Sequence, residues 1–423
     1  MSRVLDSPEF RQFPSICTKV FIALTVLSVI GVVIYGGISL ARHHAASVST
    51  EAPAEIDVGK KQLRQIAEDV YLVHTVRDRR NWGEELRVLV YAKQPNYALE
   101  CGMKDGVRMR ASWYELGGNG DAEFKAYYLT CNLPDIYLPG TIENSLSIVE
   151  HAPEEEAPRL GFRQTGIDVD YDLPRADPEK FEIFYGLCVP LLDAAAFSPE
   201  DVIEFVELNR LLGAEKITFV VRPDTLSKEM TAALQYYNDD SILELIDFSL
   251  PFPETEVADK GENVARDICL HHHMQTTEFV GFCTLREYFV PLANATMGAA
   301  LRTYPYYASG LLKISAVNLP IRSQHRPLSL NNRNRAVKMD HVKTRGIVRP
   351  RKVVEMGPNL ANHLVHSGRT VIYMEDASHI ALYRFTESYP DTADTVADRT
   401  IIDLFQALGE IFDDALKVAS ESA

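Results

Sequence analysis

The hydrophobic pattern divides the chain into an apolar segment near its start and a longer mixed part. Residues 20–40 contain no charged side chain, and a helix needs about 20 such residues to cross a bilayer. The run is longer than the apolar core of a cleavable signal peptide, about 7–15 residues, so we expect an uncleaved transmembrane anchor. Arg3, Arg11 and Lys19 precede it and Arg42 follows it. The positive-inside bias therefore predicts a cytosolic tail at residues 1–19 and a luminal remainder.

Two further patterns lie between this span and the C-terminal half. Residues 41–85 are mostly polar, which favours a stem that holds a globular part away from the membrane. From residue 86 to residue 178, short apolar runs alternate with Gly and Pro clusters and then give way to an acidic, proline-containing connector. We expect a small β-rich subdomain in this second part.

Residues 179–423 show apolar strand-like runs alternating with helical spacing. The first helix begins at Ser198, which can cap it, and Asp201 can complete a capping box. The predicted strands cover residues 181–192, 217–221, 242–248 and 278–285, and the predicted helices cover 198–212, 227–237, 262–274 and 399–418. This alternation predicts an α/β domain with a mainly parallel sheet covered by helices on both faces. Ligands of such sheets bind at the carboxyl ends of the strands.

Composition narrows the class of protein. With 46% hydrophobic and 24% charged residues over 423 positions, the chain is too apolar to be disordered throughout. Its net charge of −16 argues against a nucleic-acid partner. Five cysteines follow the apolar span and could form at most two disulfides in an oxidising lumen. They are Cys101, Cys131, Cys188, Cys269 and Cys283.

One segment carries a resemblance to a known family. Residues 279–291 read Phe-Val-Gly-Phe-Cys-Thr-Leu-Arg-Glu-Tyr-Phe-Val-Pro. This run resembles the segment of glycosyltransferase family 92 that usually reads aromatic-Val-Ala-Phe-Ile-Asp-Leu-Asp-Glu-Phe-x-Val-Pro. Other segments resemble the same family in the same order, at residues 187–191, 204–213, 236–245, 267–270, 345–353, 363 and 381–384.

The resemblance implies a GT-A fold for residues 179–423 and a type II Golgi membrane topology. It also implies transfer of a hexose, galactose in the characterised members, from a nucleotide-sugar donor to a glycan or glycoprotein acceptor. The family's Asp-x-Asp holds a divalent cation, usually Mn²⁺, against the donor diphosphate. Here those two positions are Thr284 and Arg286, so we predict no metal site and no cofactor.

The same substitutions leave two interpretations open. In the first, the protein is a metal-independent transferase. Arg286 contacts the donor diphosphate, assisted by Arg222, Arg384 or a lysine, and Thr284 belongs to the same donor site. Glu287 orients or deprotonates the acceptor hydroxyl. In the second, the fold persists without catalysis, as a luminal module that binds glycans or proteins. A single-span adhesion or scaffold protein is a third class, which the ordered family segments disfavour.

Two remaining features bear on the site. Residues 326–352 are rich in Arg and Lys, which is consistent either with ordinary ion pairs or with a positive rim where Lys343 and Arg349 contact the donor. Asn294 begins an Asn-Ala-Thr acceptor sequence for glycosylation. Consecutive helical residues point about 100° apart, so a metal site at residues 271–273, three histidines, is disfavoured.

Overall fold

A computed structural model describes residues 63–78, 84–96, 98–103, 108–133, 146–150, 167–168, 181–292, 296–304, 310–364, 371–374, 379–389, 394–400 and 407–422. The apolar segment 20–40 and Asn294 lie outside these residues. Within them, no helix is long and apolar enough to cross a membrane. All of the described residues belong to one compact unit, Glu55–Ala423.

The N-terminal part is built from strands, as its short apolar runs predict. A five-stranded antiparallel sheet has the order β1-β2-β3-β7-β6, and a second sheet has the order β5-β4-β8-β9. The strands are β1 Arg64–Ala67, β2 Val70–Asp78, β3 Glu84–Ala92, β4 Leu99–Met103, β5 Arg108–Arg110, β6 Ser112–Glu115, β7 Lys125–Leu133, β8 Leu146–Glu150 and β9 Ile167–Asp168. A disulfide between Cys101 and Cys131 joins β4 to β7.

This arrangement corrects the expected stem at residues 41–85. Strands β1 and β2 lie within that segment and pair with each other, and β2 also pairs with β3. Apolar residues on these strands are buried, Val70 with 1% exposure among them. Residues 64–78 are therefore part of the β-rich subdomain, because they have a hydrophobic face to bury.

The C-terminal part contains the larger sheet and all of the described α-helices. Its strands are β10 Ile183–Val189, β11 Lys216–Val221, β12 Leu243–Asp247, β13 Thr277–Phe282, β14 Glu287–Pro291, β15 Leu311–Pro320, β16 Asn334–Ala336, β17 Asp340–Val348, β18 Val353–Met356, β19 Ala361–Leu364, β20 Val371–Met374, β21 Ile380–Thr386 and β22 Thr395–Ala397. Its helices are α1 Pro199–Leu211, α2 Lys228–Asp239, α3 Glu262–His273, α4 Met297–Leu301, α5 Leu328–Asn331 and α6 Leu408–Ser422.

The main sheet is mixed, which corrects the expectation of a mainly parallel one. Its order is β12-β11-β10-β13-β17-β15-β21-β14, with β20 also on β15. The four strands from β12 to β13 are parallel neighbours joined by helical crossovers. Beyond β13, the pairs β13–β17, β15–β17 and β14–β21 are antiparallel. The helical alternation used for the prediction ends at β13, and antiparallel neighbours need no helical crossover between them.

Helices cover both faces of this sheet, as the alternation predicts. Helix α1 begins with the predicted capping box, in which the Asp201 carboxylate accepts a hydrogen bond from the Ser198 amide at 3.0 Å. Phe205 of α1 and Phe412 of α6 are buried in one core. Ile268 of α3 is buried in the other. A disulfide between Cys188 and Cys269 ties β10 to α3, and Cys283 is a buried free thiol.

Candidate functional site

The turn after β13 carries the residues that stand at the Asp-x-Asp position. The Thr284 amide donates a hydrogen bond to Glu287 Oε2 at 3.1 Å, and the Glu287 amide donates to the Thr284 carbonyl at 3.0 Å. These two bonds close a tight turn between β13 and β14. Glu287 is 4% exposed at the start of β14. The turn therefore fixes the carboxylate at the carboxyl end of the parallel half of the sheet.

Two arginines, from β17 and β21, converge on Glu287. Arg345 of β17 donates from Nε to Glu287 Oε2 at 2.7 Å. Arg384 of β21 lies directly across from Glu287 in the strand pairing, with its Nε 3.6 Å from Oε1. Burial lowers the pKa of Arg345, but the Glu287 charge and hydrogen bond outweigh that effect and raise it. Arg345 also donates to the Asn359 side chain at 2.7 Å, which holds its guanidinium in place.

Arg286 points to a different set of partners. Its Nε and Nη2 donate to the two oxygens of Asp201 at 3.1 and 3.2 Å. Arg326 contacts the same carboxylate, with Nη1 2.7 Å from Oδ1. Burial would raise the pKa of Asp201, but hydrogen bonds from Arg286 and Ser198 and the Arg326 charge hold it below its usual value. The guanidinium of Arg286 is therefore committed to the first turn of α1.

Arg222 lies at the carboxyl end of β11, where a third contact to the donor was expected. It donates to the Glu254 carboxylate and to the Lys260 carbonyl. The Lys260 ammonium is 3.6 Å from the same carboxylate of Glu254. Arg222 and Lys260 thus share one acidic partner on the loop between β12 and α3.

The residues at the Asp-x-Asp position do not fit a divalent cation. Thr284 offers a neutral hydroxyl, and Arg286 offers a guanidinium that is already bonded to Asp201. Hard divalent cations prefer carboxylate and carbonyl oxygens. Among the residues that the structure describes, no group of three or more His, Cys, Asp or Glu side chains could hold a metal ion.

Most arginines of the basic stretch 326–352 form contacts with other elements of the fold. Arg349 is 5% exposed and donates to Glu278 at 2.8 Å near the start of β13. Thr284 is six positions after Glu278, or about 20 Å of extended chain, so Arg349 lies away from the turn at Thr284. Lys343 is exposed on β17. Other arginine contacts of this stretch include Arg335 with Asp398 at 3.1 Å and Arg351 with the carbonyls of Met274 and Gln275.

The structure brings together some predicted residues and adds others. Thr284, Glu287 and Arg384 form one cluster, Arg286 belongs to a second, and Arg222 belongs to a third. Sequence reasoning missed Arg345 as a partner of Glu287, although it lies in the basic stretch and in a family segment. Asp201 was assigned to helix capping alone, and no sequence signal marked Glu254. Pairing across a sheet joins residues that are distant in the chain, so spacing could not reveal these contacts.

The three consecutive histidines have separate surroundings, as their helical spacing predicts. His273 is 1% exposed and lies 2.9 Å from the hydroxyls of Thr218 and Thr277. His272 contacts Glu244 at 2.9 Å. Burial lowers the pKa of His273 to about 3, so this ring is neutral at physiological pH.

Fold and site together define an α/β domain with arginines beside the turn after β13 and at the carboxyl end of β11, an arrangement suited to a phosphorylated ligand. The family model described as Glycosyltransferase family 92 matches residues 184–403. The chain therefore belongs to glycosyltransferase family 92, and the protein is a glycosyltransferase.

One curated protein and two crystal structures are similar to this chain to different degrees. The chain is 27% identical over 308 residues to Beta-1,4-galactosyltransferase galt-1 of Caenorhabditis elegans, covering 70% of this chain and 69% of that protein. Two crystal structures of S. aureus TarS 1-349, one in complex with UDP, share 12% identity and cover 57% of this chain. The match spans 71% and 70% of those two TarS chains, and the TM-scores are 0.28 and 0.30. TM-scores this low do not establish a common fold.

Proposed function

We propose that the protein transfers a hexose, with galactose as the first candidate, from a nucleotide-sugar donor to a glycan acceptor without a bound divalent cation. Family membership and the galactosyltransferase relative support the reaction class and the sugar. The observation that carries the metal-independent part is the convergence of Arg345 and Arg384 on Glu287. Glu287, which both arginines contact, follows the turn at the end of β13, the strand whose end holds the metal-binding carboxylates elsewhere in the family.

The two arginines provide a fixed positive field for a leaving diphosphate. When the bond from the sugar to the diphosphate breaks, negative charge develops on the phosphate oxygens. Guanidinium groups keep their charge at any physiological pH and can donate two parallel hydrogen bonds to such oxygens. Preorganised donors of this kind stabilise a transition state without needing to reorient during the reaction. Arg345 and Arg384 are assigned this role, with Arg222 at the neighbouring strand end.

Glu287 is the carboxylate assigned to the acceptor. Its Oε2 atom accepts hydrogen bonds from both Arg345 and the Thr284 amide. Its Oε1 atom has a looser contact, 3.6 Å from Arg384. A general base must come within about 2.6–3.2 Å of the hydroxyl that it deprotonates. Oε1 is therefore the oxygen proposed to receive the acceptor proton.

The cellular setting belongs to the same proposal. A helix at residues 20–40 would anchor the chain as a type II Golgi membrane protein, with residues after 40 in the lumen. The observed pairing of Cys101 with Cys131 and of Cys188 with Cys269 supports an oxidising compartment. Glycosylation at Asn294, seen as a mass shift that Asn294→Gln abolishes, would test the orientation.

The experiment is transfer by the purified full-length protein with a panel of nucleotide sugars, in EDTA and in Mn²⁺. Turnover that is insensitive to EDTA is expected, and Glu287→Gln should lower kcat about 100-fold, within the usual range for general base catalysis. Arg333→Gln is a control outside the site, because Arg333 belongs to the basic stretch and its side chain donates to the Leu330 carbonyl. Strict dependence on Mn²⁺ would refute the proposal.

The inactive-module interpretation is the other candidate, and a specific observation favours it. Arg286 and Asp201 are bonded to each other through two contacts, so the side chain at the second Asp-x-Asp position is not available to a ligand. Nucleotide binding measured by titration calorimetry without turnover of any donor would support that interpretation.

A further inference from the structure

The loop that leads into α3 brings two cations to one exposed carboxylate. Arg222 donates to Glu254 and to the Lys260 carbonyl, and the Lys260 ammonium is 3.6 Å from Glu254. The side chain of Glu254 is 42% exposed and that of Lys260 is 65% exposed. The pair of Lys260 and Glu254 is exposed and contributes little to stability. The side chain of Arg222 is 11% exposed and keeps its hydrogen bond to the Lys260 carbonyl when Glu254 leaves. A stronger anion could therefore displace Glu254 from both cations at little cost to the fold.

The same loop ends at the N-terminus of α3, where several hydrogen-bond donors meet. Gly261 caps the helix without a side-chain bond to its first turn. Asn263 is 5% exposed, and its Oδ1 accepts from the Val264 amide at 2.8 Å, which directs its side chain to that first turn. Its Nδ2 has no hydrogen-bond partner among the described residues. Helix N-termini carry partial positive charge and unpaired amides, which suit phosphate groups.

Two more donors beside this helix end lack partners within the described part of the chain. They are the hydroxyl of Tyr91 and Nε of Arg222. A Cβ built on Gly261 would lie 3.1 Å from the Tyr91 hydroxyl, so this group adjoins the helix cap. Arg222, Lys260, Asn263 and Tyr91 therefore lie at this helix end, and three of them carry a donor atom without a partner among the described residues. The acid that Arg222 and Lys260 share is the exposed Glu254.

We propose that Arg222, Lys260 and the N-terminus of α3 form a seat for the diphosphate of the donor, and that Glu254 occupies the two cations until the donor displaces it. The identity of the ligand rests on the proposed function, since a nucleotide sugar is what brings a diphosphate to this site. The seat recognises the phosphate chemistry itself, which inorganic pyrophosphate shares.

Titration calorimetry of the full-length protein with pyrophosphate and with UDP tests the proposal. Arg222→Gln should weaken both ligands about tenfold, equivalent to about 1.4 kcal/mol. Glu254→Gln should instead tighten both by about twofold to fivefold, the range of an exposed competing ion pair. Glu256→Gln is the matched control. It makes the same change of charge on the same 3-10 turn, Glu254–Glu256, and Glu256 makes no ion pair with Arg222 among the contacts of the described residues.

The proposal predicts that Arg222→Gln weakens ligand binding and Glu254→Gln strengthens it. A purely structural ion pair does not predict these opposite changes in affinity. Loss of a merely structural pair would weaken binding in both variants or leave it unchanged, and either result for Glu254→Gln would overturn the proposal. Equal tightening by Glu256→Gln would also overturn it, because net charge alone would then explain the gain. If UDP binds but neither variant changes its affinity, the seat is refuted and the proposed function stands. If pyrophosphate follows the expected pattern but no sugar nucleotide binds, the seat stands and the proposed function fails.

Discussion

Removal of the Asp201 carboxylate should be among the most damaging single changes in the C-terminal domain. Asp201 is 2% exposed and lies between the guanidinium groups of Arg286 and Arg326, whose side chains are 23% and 18% exposed. Asp201→Asn would leave two largely buried cations facing each other, with Glu387 at 3.6 Å from Arg286 and Glu204 at 3.9 Å from Arg326 as more distant carboxylates. Breaking a buried pair by removing one partner costs about 3–5 kcal/mol. Arg286→Ala should cost less, about 1–3 kcal/mol, because Asp201 keeps Arg326 as a partner.

A double-mutant cycle on Asp201 and Arg286 measures the interaction itself. Urea unfolding of the purified protein, followed by circular dichroism, gives the free energy of unfolding for each variant. Contacting residues typically couple by about 0.5–3 kcal/mol, and the double variant should cost less than the two single variants together. Additivity within about 0.5 kcal/mol would refute the bidentate contact.

The stability lost in Asp201→Asn should depend on pH, because the pKa of Asp201 is lowered in the folded state. A carboxyl group with a lowered pKa in the folded state stabilises the fold above its ordinary pKa, and this stability is lost as the pH falls through the folded value. The penalty of Asp201→Asn should therefore be complete near neutral pH and shrink below about pH 4. A penalty that stays constant to pH 2 would contradict the assignment of charge to this site.

Three further predictions concern buried features near the sheet. His273 has a pKa of about 3 in the fold, so its stabilising effect is lost as the pH falls from about 6.5, at up to about 1.4 kcal/mol per unit. His273→Gln should make the free energy of unfolding less dependent on pH between about pH 3 and pH 6.5. Gly281→Ala places a Cβ 2.7 Å from a buried ring and should cost about 1–3 kcal/mol. Gly298→Ala, with its nearest neighbour at 3.7 Å, should be neutral or slightly stabilising in thermal melts. The double variant Cys188→Ser/Cys269→Ser should lose about 2–5 kcal/mol in chemical denaturation, and an unchanged midpoint would contradict a structural disulfide.

Local sequence signals predicted the parallel half of the main sheet well. The capping residues Ser198 and Asp201 mark the start of α1, and the apolar runs at residues 217–221 and 242–248 coincide with β11 and β12 to within one residue at each end. These signals depend on neighbours in the chain, so they can be read from it directly. The other half of the sheet has no such signal. There β15 pairs antiparallel with β17 and parallel with β21, and these pairings depend on which strand faces remain to be buried.

The candidate site was predictable in its place but not in its contacts. The family segment located the turn from Thr284 to Glu287, and the strand-end rule located Arg222. The partner of each charged group depends on tertiary packing, so the pairing of Arg286 with Asp201, 85 residues away in sequence, could not be inferred. The contact of Arg349 with Glu278 could not be inferred for the same reason, since Arg349 directly follows β17, whose register against β13 sets its position.

The arginines of residues 326–352 also have a consequence for the order of folding. Their partners are 125, 58 and 71 residues earlier for Arg326, Arg345 and Arg349, whereas Arg335 pairs with Asp398, which follows it. Contacts of long sequence separation form slowly because a large loop must close first. During synthesis, this segment emerges after most of the surfaces that receive it, and it stays incompletely docked until Asp398 has been made. A nascent chain stalled before residue 398 should therefore remain more sensitive to protease in this segment than the finished protein.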